Sequence, residues 1–377
     1  MKFQVQSKSL YAYLVALSKV LNSKNALAIL NNFKFDVKDN VLTVQASNTE
    51  IFAEARLSVE SSEGNGSFCL DAKKLTDLLK RLPSLPIIFN LDDKKKDNLR
   101  IDYGTGKYDL TPISATEFPV PDDVKNENGE KIAEFVCSTQ QILNGIDKTI
   151  FAVSTETIRP QLCGIFWDIK PDSIVFVATD THQLVKYRNK QSKPGVECSF
   201  VLFTKAALAL KTIMAKEASV QVRVNSKSVV FKSDSFTLRC SLPHGNYPNY
   251  DRVIPQNNPI TFTMDRQALY DAIDRVSVCS DSSVNLCEFD FNPGKLTLKS
   301  KDINFGSSAQ ETMSCDINEN MAIGFRGDLF SQILSSISTA NIRMKLSDPA
   351  RPGVIQPGED DEFGETVIII MPMQIID

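Results

Sequence analysis

The chain has 377 residues, 42% of them hydrophobic and 23% charged, with a formal net charge of −4, a length that points to two or three domains. No apolar run approaches the roughly 20 residues of a membrane span, and the start MKFQVQ lacks the apolar core of a signal peptide, so a cytoplasmic protein is expected. Eight scattered cysteines with no CxxC pair favour reduced, buried thiols over disulfides or zinc, and the acidic balance leaves nucleic-acid contact to local basic patches.

In chain order, the first segment is a short alternating strand, Phe3-Gln4-Val5-Gln6, then Ser7 as a capping residue, then a helix with a stripe at Leu10, Leu14 and Leu17. The same unit returns at Phe135-Val136-Cys137-Ser138 with Ile142, Ile146 and Thr149. It returns again at Phe262-Thr263-Met264-Asp265 with Leu269, Ile273 and Val276. The three copies align without a gap at offsets of 132 and 127 residues. Repetition on this scale means that function should be sought in what the repeats build together.

After the first helix, Phe33–Val37 and Val41–Val44 read as a hairpin across Lys38-Asp39-Asn40, followed by a strand from Ile51 to Val59. Phe68-Cys69-Leu70 leads into a second helix, Asp71 to Leu82, which Pro83 stops. Strands at 87–89, 99–101 and 108–110 complete the unit. The second unit repeats the hairpin as Ile165–Ile169 with Ile174–Val177, and the second helix as Thr204 to Ala215; the third repeats them as 287–291 with 295–298, and Asp328 to Ile337. Polar segments at 121–131 and 255–259 read as linkers, which gives domains 1–125, 126–257 and 258–377. Each domain is two half-units of strand, helix and three strands. The fold class is α+β, with six helices on antiparallel sheets.

Three such domains in a row resemble the bacterial DNA polymerase III beta subunit, the replicative sliding clamp. The resemblance covers the whole chain. It is carried by Met1-Lys2-Phe3, Leu27-Ala28-Ile29-Leu30, Ala178-Thr179-Asp180-Thr181-His182-Gln183-Leu184, Tyr247 through Pro255, and the terminal Ile370-Met371-Pro372-Met373. It implies a non-catalytic processivity factor with no cofactor, a head-to-tail homodimer whose six domains close a ring around duplex DNA with the helices lining the hole. The implied partners are double-stranded DNA of any sequence, the DNA polymerase III alpha subunit, the clamp loader, and other replication and repair proteins bearing clamp-binding peptides.

Helix charges agree with that assignment. The first helix and the loop after it carry Lys8, Lys19 and Lys24 with no acid; Lys73, Lys74, Lys80 and Arg81 outnumber Asp71 and Asp77 on the second; Lys205, Lys211 and Lys216 stand against Glu217 on the fourth. The fifth is the exception, with Asp265, Asp271 and Asp274 balancing Arg266 and Arg275. Sliding requires exchangeable contacts blind to base sequence, which lysine–phosphate pairs supply. The expected DNA contacts are Lys24, Lys73 and Lys205, then Lys80, Arg81 and Lys211. Lys24 matches a basic DNA-contacting position of the family.

The resemblance also implies a pocket for partner peptides where the chain end meets the second domain. Carried over residue by residue, it comprises Leu162, Thr179, His182, Leu184, Pro248, Arg252, Val253, Ile369, Met371, Pro372 and Met373. Soft methionines beside a proline that ends the last strand suit varied apolar ligands. Thr181 replaces a usual glycine, Gln183 a usual arginine, and Gln374-Ile375-Ile376-Asp377 the usual arginine-leucine ending, so the expected pocket is less basic. Val278 and Cys279 match dimer-interface positions.

Two other classes compete. An enzyme would need more than Asp180-Thr181-His182, since the chain has two histidines and no HExxH, GxSxG, GxxxxGK[ST] or GxGxxG; Asn48 and Asp302 hold the place of Asp180 in the sister units, which suggests a turn cap. No metal site is expected. A repeat scaffold that binds only peptides explains the Met-Pro-Met ending but not the helix lysines.

Overall fold

The computed structural model describes residues 1–25, 27–91, 98–121, 132–359 and 361–375. The half-unit of strand, helix and three strands occurs six times. The first comprises β1 (Lys2–Gln6), α1 (Ser7–Ser18), β2 (Asn32–Lys38), β3 (Val41–Ser47) and β4 (Ile51–Ser58). After a short β5 (Ser61–Glu63) the second runs β6 (Gly66–Asp71), α2 (Ala72–Arg81), β7 (Pro86–Leu91), β8 (Leu99–Tyr103) and β9 (Gly106–Leu110). The third is β10 (Ala133–Ser138), α3 (Thr139–Thr149), β11 (Gly164–Lys170), β12 (Ser173–Thr179) and β13 (Gln183–Asn189). The fourth is β14 (Cys198–Phe203), α4 (Thr204–Met214), β15 (Ser219–Val224), β16 (Ser228–Lys232) and β17 (Phe236–Ser241). The fifth is β18 (Ile260–Asp265), α5 (Arg266–Ser277), β19 (Leu286–Asn292), β20 (Lys295–Asp302) and β21 (Ser307–Ser314). The sixth is β22 (Met321–Arg326), α6 (Gly327–Ser336), β23 (Asn341–Leu346), β24 (Gly353–Pro357) and β25 (Gly364–Ile370). The expected first linker falls almost wholly at 122–131, outside the described residues.

Local chemistry sets most boundaries. Asp71 caps α2 through the Lys74 N–H at 2.7 Å, and Asp265 caps α5 through the Ala268 N–H at 2.7 Å. Ser138 and Gln141 form a reciprocal capping box at the start of α3, at 3.3 and 3.1 Å. Ser7 departs from expectation. It is the first residue of α1 and fully buried, and its hydroxyl donates to the Pro83 carbonyl at 2.7 Å while accepting from the Leu85 N–H at 3.2 Å. The N-cap position is Gln6, which makes no side-chain cap bond, and the stretch after α2, lying alongside β1, takes up the Ser7 hydroxyl. The β2–β3 hairpin turns on Asp39 and Asn40, both at positive φ (51° and 62°), as a two-residue hairpin with right-handed strand twist requires.

The helix stripes are core. Leu10, Leu14, Leu17, Ile142, Ile146, Leu269 and Ile273 are fully buried, each worth about 1.5–3 kcal/mol relative to exposure. Thr149 is buried too, its hydroxyl donating to the Gly145 carbonyl at 2.6 Å.

The fold divides into two compact units, Met1–Ile142 with Lys205–Pro243, and Leu143–Thr204 with His244–Asp377. Unit 1 holds a five-stranded sheet, β5-β1-β7-β8-β9, and an eight-stranded sheet, β10-β15-β16-β17-β4-β3-β2-β6. Unit 2 holds the eight-stranded sheet β14-β11-β12-β13-β25-β24-β23-β18 and the four-stranded sheet β21-β20-β19-β22. Strand exchange organises all four sheets. The leading strand of each half-unit pairs with the trio of its sister half-unit: β1 with β7, β6 with β2, β10 with β15, β14 with β11, β18 with β23 and β22 with β19. The eight-stranded sheets arise because trios also join edge to edge, β4 to β17 and β13 to β25, both antiparallel. Each eight-stranded sheet therefore spans a junction between two sequence repeats.

Gly145 shows how tightly helix and sheet meet. A methyl group there would overlap the ring of Phe176, which is fully buried and held edge-on by Trp167 at 4.6 Å. Gly145→Ala improves helix propensity by about 1 kcal/mol, yet overpacking costs about 1–3 kcal/mol. The variant is expected to unfold at lower urea than the wild type at equal protein concentration. A higher midpoint would contradict this packing.

Candidate functional sites

In unit 2 the outer face of the eight-stranded sheet carries a cavity of ≈ 270 Å³. Strand alternation builds its floor. Phe166 and Asp168 on β11, Val175, Val177 and Thr179 on β12, Leu184 and Lys186 on β13 and Ile369 on β25 share one face through the pairs Phe166↔Val177, Thr179↔Leu184 and Leu184↔Ile369. Trp167, Phe176 and Tyr187 point the other way and are fully buried in the core.

The segment from Tyr247 to Ile254 lies across this face and forms the cavity wall. Tyr247 stacks on Phe166 at 4.4 Å between ring centroids and 3° between planes. Tyr250 donates its hydroxyl to Asp168 Oδ2 at 2.6 Å. Lys186 pairs with Asp251 at 2.6 Å and stands 5.1 Å from the Tyr250 ring centroid. Burial, reinforced by the Asp168 hydrogen bond, raises the Tyr250 pKa, and burial raises that of Tyr247. Both phenols therefore stay protonated and uncharged near neutral pH.

Of the residues expected at this pocket, the cavity brings together Leu162, Thr179, Leu184, Pro248, Val253, Ile369 and Met371. It adds Arg159, Thr181, Gln183, Tyr247, Asn249 and Tyr250. His182, Arg252, Pro372 and Met373 do not line it. The chain end runs past it: the Met371 N–H donates to the His182 carbonyl at 2.8 Å and the Met373 N–H to the Gly324 carbonyl at 2.8 Å. A Cβ on Gly324 would stand 2.7 Å from the Met373 carbonyl oxygen, so this close approach needs glycine. The tyrosines were visible in the Tyr247–Pro255 motif. Arg159, on an irregular loop, left no local signal.

Asp180 is taken up by its own turn. Its Oδ1 accepts the His182 and Gln183 N–H groups, both at 2.8 Å, and its Oδ2 accepts the Gln183 carboxamide at 3.2 Å. Asn48 does the same for Glu50 and Ile51 at 3.1 and 2.8 Å, and Asp302 for Asn304 and Phe305 at 2.9 and 3.1 Å. Thr49 and Thr181 both adopt φ of 80° in these turns, a strained conformation for a β-branched residue. The strain belongs to the repeated turn and not to a reaction. Among the described residues no group of three or more His, Cys, Asp or Glu is placed to hold a metal ion. All eight cysteines are free thiols, and burial pushes Cys137 up to about 12 and Cys69 up to about 11, the latter shift opposed by Lys34. No described helix is long and apolar enough to cross a membrane.

The expected DNA-contacting cations all lie in unit 1. Lys24, Lys73, Lys80 and Arg81 are exposed, with the Arg81 guanidinium donating to the Asp77 carbonyl at 2.6 Å within α2. Lys211 is half-buried. Lys205 is also half-buried, and its ammonium is held by the Leu21 carbonyl and the Asn22 side chain. In unit 2, the two arginines of α5 are engaged internally. Arg266 donates to the Thr339 and Leu334 carbonyls at 3.0 and 3.3 Å, and Arg275 to Glu311 through two bonds of 2.9 and 2.5 Å. Val278 at the end of α5 is 82% exposed, and Cys279 is half-buried.

Family models described as the N-terminal, central and C-terminal domains of the DNA polymerase III beta subunit match residues 1–122, 137–249 and 251–374. The beta sliding clamp of Vibrio cholerae is 24% identical, with both chains covered completely. The crystal structure of a DNA polymerase sliding clamp from Pseudomonas aeruginosa superposes with a TM-score of 0.91 at 23% identity, covering both chains fully. That of the DNA polymerase III beta subunit from Thermotoga maritima gives 0.90 at 23% identity, again over both full chains. With matches to all three successive domain models along almost its whole length, the chain belongs to the DNA polymerase III beta subunit family, the beta sliding clamps.

Proposed function

We propose that two copies of this chain close head to tail into a ring around duplex DNA and tether the replicative polymerase to it. The observation that carries the reading is a joint made twice and left open once. At the two internal joints, core-facing residues of the mated edges are almost wholly covered: Ala53 opposite Leu238, and Val185 opposite Ile368. By the repeat, the remaining trio edges are β9 and β21, which have no further strand paired to them among the described residues. Their corresponding residues, Leu110 and Ala309, are only half-buried. An open edge with half-covered apolar side chains calls for another strand. Extending the two observed registers sets Leu110 of one subunit opposite Ala309 of its partner. Val278 and Cys279 lie at the end of α5, which packs on β21, and in this reading they belong to the seam.

DNA contact falls to Lys24, Lys73, Lys80 and Arg81, with Lys211 beside them; Lys205 is engaged within its own unit. The apolar cavity takes short peptides from the DNA polymerase III alpha subunit, the clamp loader and other replication or repair proteins, with His182, Arg252, Pro372 and Met373 serving its rim. Arg159 lines the cavity and supplies some of the basic character lost at Gln183 and Gln374. Domains 1–125, 126–257 and 258–377 act as the six arcs of the dimer. The ring is a cytoplasmic, non-catalytic subunit.

Val278→Asp is expected to reduce the native mass to that of one 41.9 kDa chain; an unchanged mass would move ring closure away from this edge. Truncation after Ile370 removes Met371, whose side chain lines the cavity. It is expected to weaken binding of a polymerase-derived peptide at least about tenfold, or about 1.4 kcal/mol, with the dimer intact. Undiminished peptide affinity would contradict the pocket assignment.

A further inference from the structure

Lys205, at the start of α4, differs from the other cations in what surrounds it. Its ammonium donates to the Leu21 carbonyl at 3.1 Å and to the Asn22 side-chain oxygen. Burial lowers its pKa, against an opposing pull from Glu50. Asn22 lies in the loop after α1, two residues before the exposed Lys24. Asn48 Nδ2 reaches the same Asn22 oxygen at 3.5 Å, and Asn48 is the residue that caps the β3–β4 turn. That turn opens directly into the β4–β17 joint, where Ile51 faces Cys240. The start of α4 and the β3–β4 turn, both remote in sequence from the loop, thus converge on the Asn22 side-chain oxygen, and the ammonium is the charged one of the two donors.

Past the buried Val20, the loop makes few other hydrogen bonds among the described residues. After Leu21, whose N–H donates to the Ser18 carbonyl at 3.2 Å, the described bonds within it come from one side chain. Asn25 Nδ2 reaches the Asn22 carbonyl at 3.5 Å, the Leu30 carbonyl at 3.3 Å and Asn31 Oδ1 at 2.8 Å. A cation on carbonyls just beyond a helix C-terminus is favourably placed to hold such a loop.

We propose that Lys205 is a positioning residue and not a phosphate contact: it pins the loop after α1 so that Lys24 projects toward DNA. The inference rests on the DNA-facing reading of Lys24. It separates two lysines that resemblance alone groups together. A free lysine on a phosphate contributes about 0.9 to the slope of log K against log salt, whereas an ammonium held by two protein oxygens acts through the geometry of its neighbour.

The test is binding of the intact protein to a short duplex over a series of salt concentrations. Lys24→Ala should lower the slope by about one unit. Lys205→Met should lower affinity to a similar level, and the double variant should bind no more weakly than either single one. Asn22→Ala, which keeps the lysine and removes its side-chain acceptor, should reproduce Lys205→Met, and it carries the test should Lys205→Met fold poorly. Additive losses with a second unit removed from the slope would make Lys205 a direct contact and overturn the proposal. So would unchanged or tighter binding by Asn22→Ala. If Lys24→Ala alone left binding unchanged, the DNA-facing assignment of Lys24 would be the part at fault, and the positioning role would fall with it.

Discussion

The architecture depends on how sheet edges are satisfied. A strand at an edge presents unpaired N–H and C=O groups, and leaving them open invites pairing with another chain. Six half-units of one design would each present such edges. The fold resolves most of them by two devices, exchange of leading strands between sister half-units and edge-to-edge joining of neighbouring trios. Because β1 completes the sheet of β7 and β6 completes that of β2, neither half of the first repeat has a finished sheet alone. Applied twice along the chain, the joining rule leaves over one trio edge in the first repeat, β9, and one in the third, β21, among the described residues.

Charge is distributed to match. The chain as a whole is acidic, so attraction to DNA cannot be a property of its net charge. Unit 1 carries exposed cations at Lys24, Lys73, Lys80 and Arg81. On α5 of unit 2 both arginines are engaged internally, while Asp274 is exposed and Asp271 accepts from the Gln267 carboxamide. A moderate, uneven field is what a sliding protein needs, since strong uniform attraction would hold it in place. The cavity of unit 2 follows the opposite principle, with apolar strand residues and tyrosines held protonated by burial.

Periodicity made the half-unit legible in the sequence. The stripes Leu10-Leu14-Leu17 and Leu269-Ile273-Val276 are buried as their spacing requires, and Asp265 caps its helix by a bond three residues away. What escaped depends on distant partners. Ser7 has the right type for a cap, but the chain near Pro83 and Leu85 claims its hydroxyl. Strand exchange left no local trace because pairing partners are set by topology. Lys205 looked like one more helix lysine because its acceptor, Asn22, is 183 residues earlier. The cavity was half legible: apolar positions on paired strands could be carried over from the resemblance, whereas Arg159 and the tail contact at Gly324 follow from chain paths that no short motif encodes.

The most direct measurement is retention on DNA. The protein would be loaded onto a nicked circle with a cognate clamp loader and ATP, washed in high salt, and the circle then cut once. A closed ring predicts that protein survives the wash on the circle and departs when the circle is linearised. Loss in the salt wash from circular and linear DNA alike, with loading shown to be active, would mean ordinary electrostatic binding and would contradict the ring.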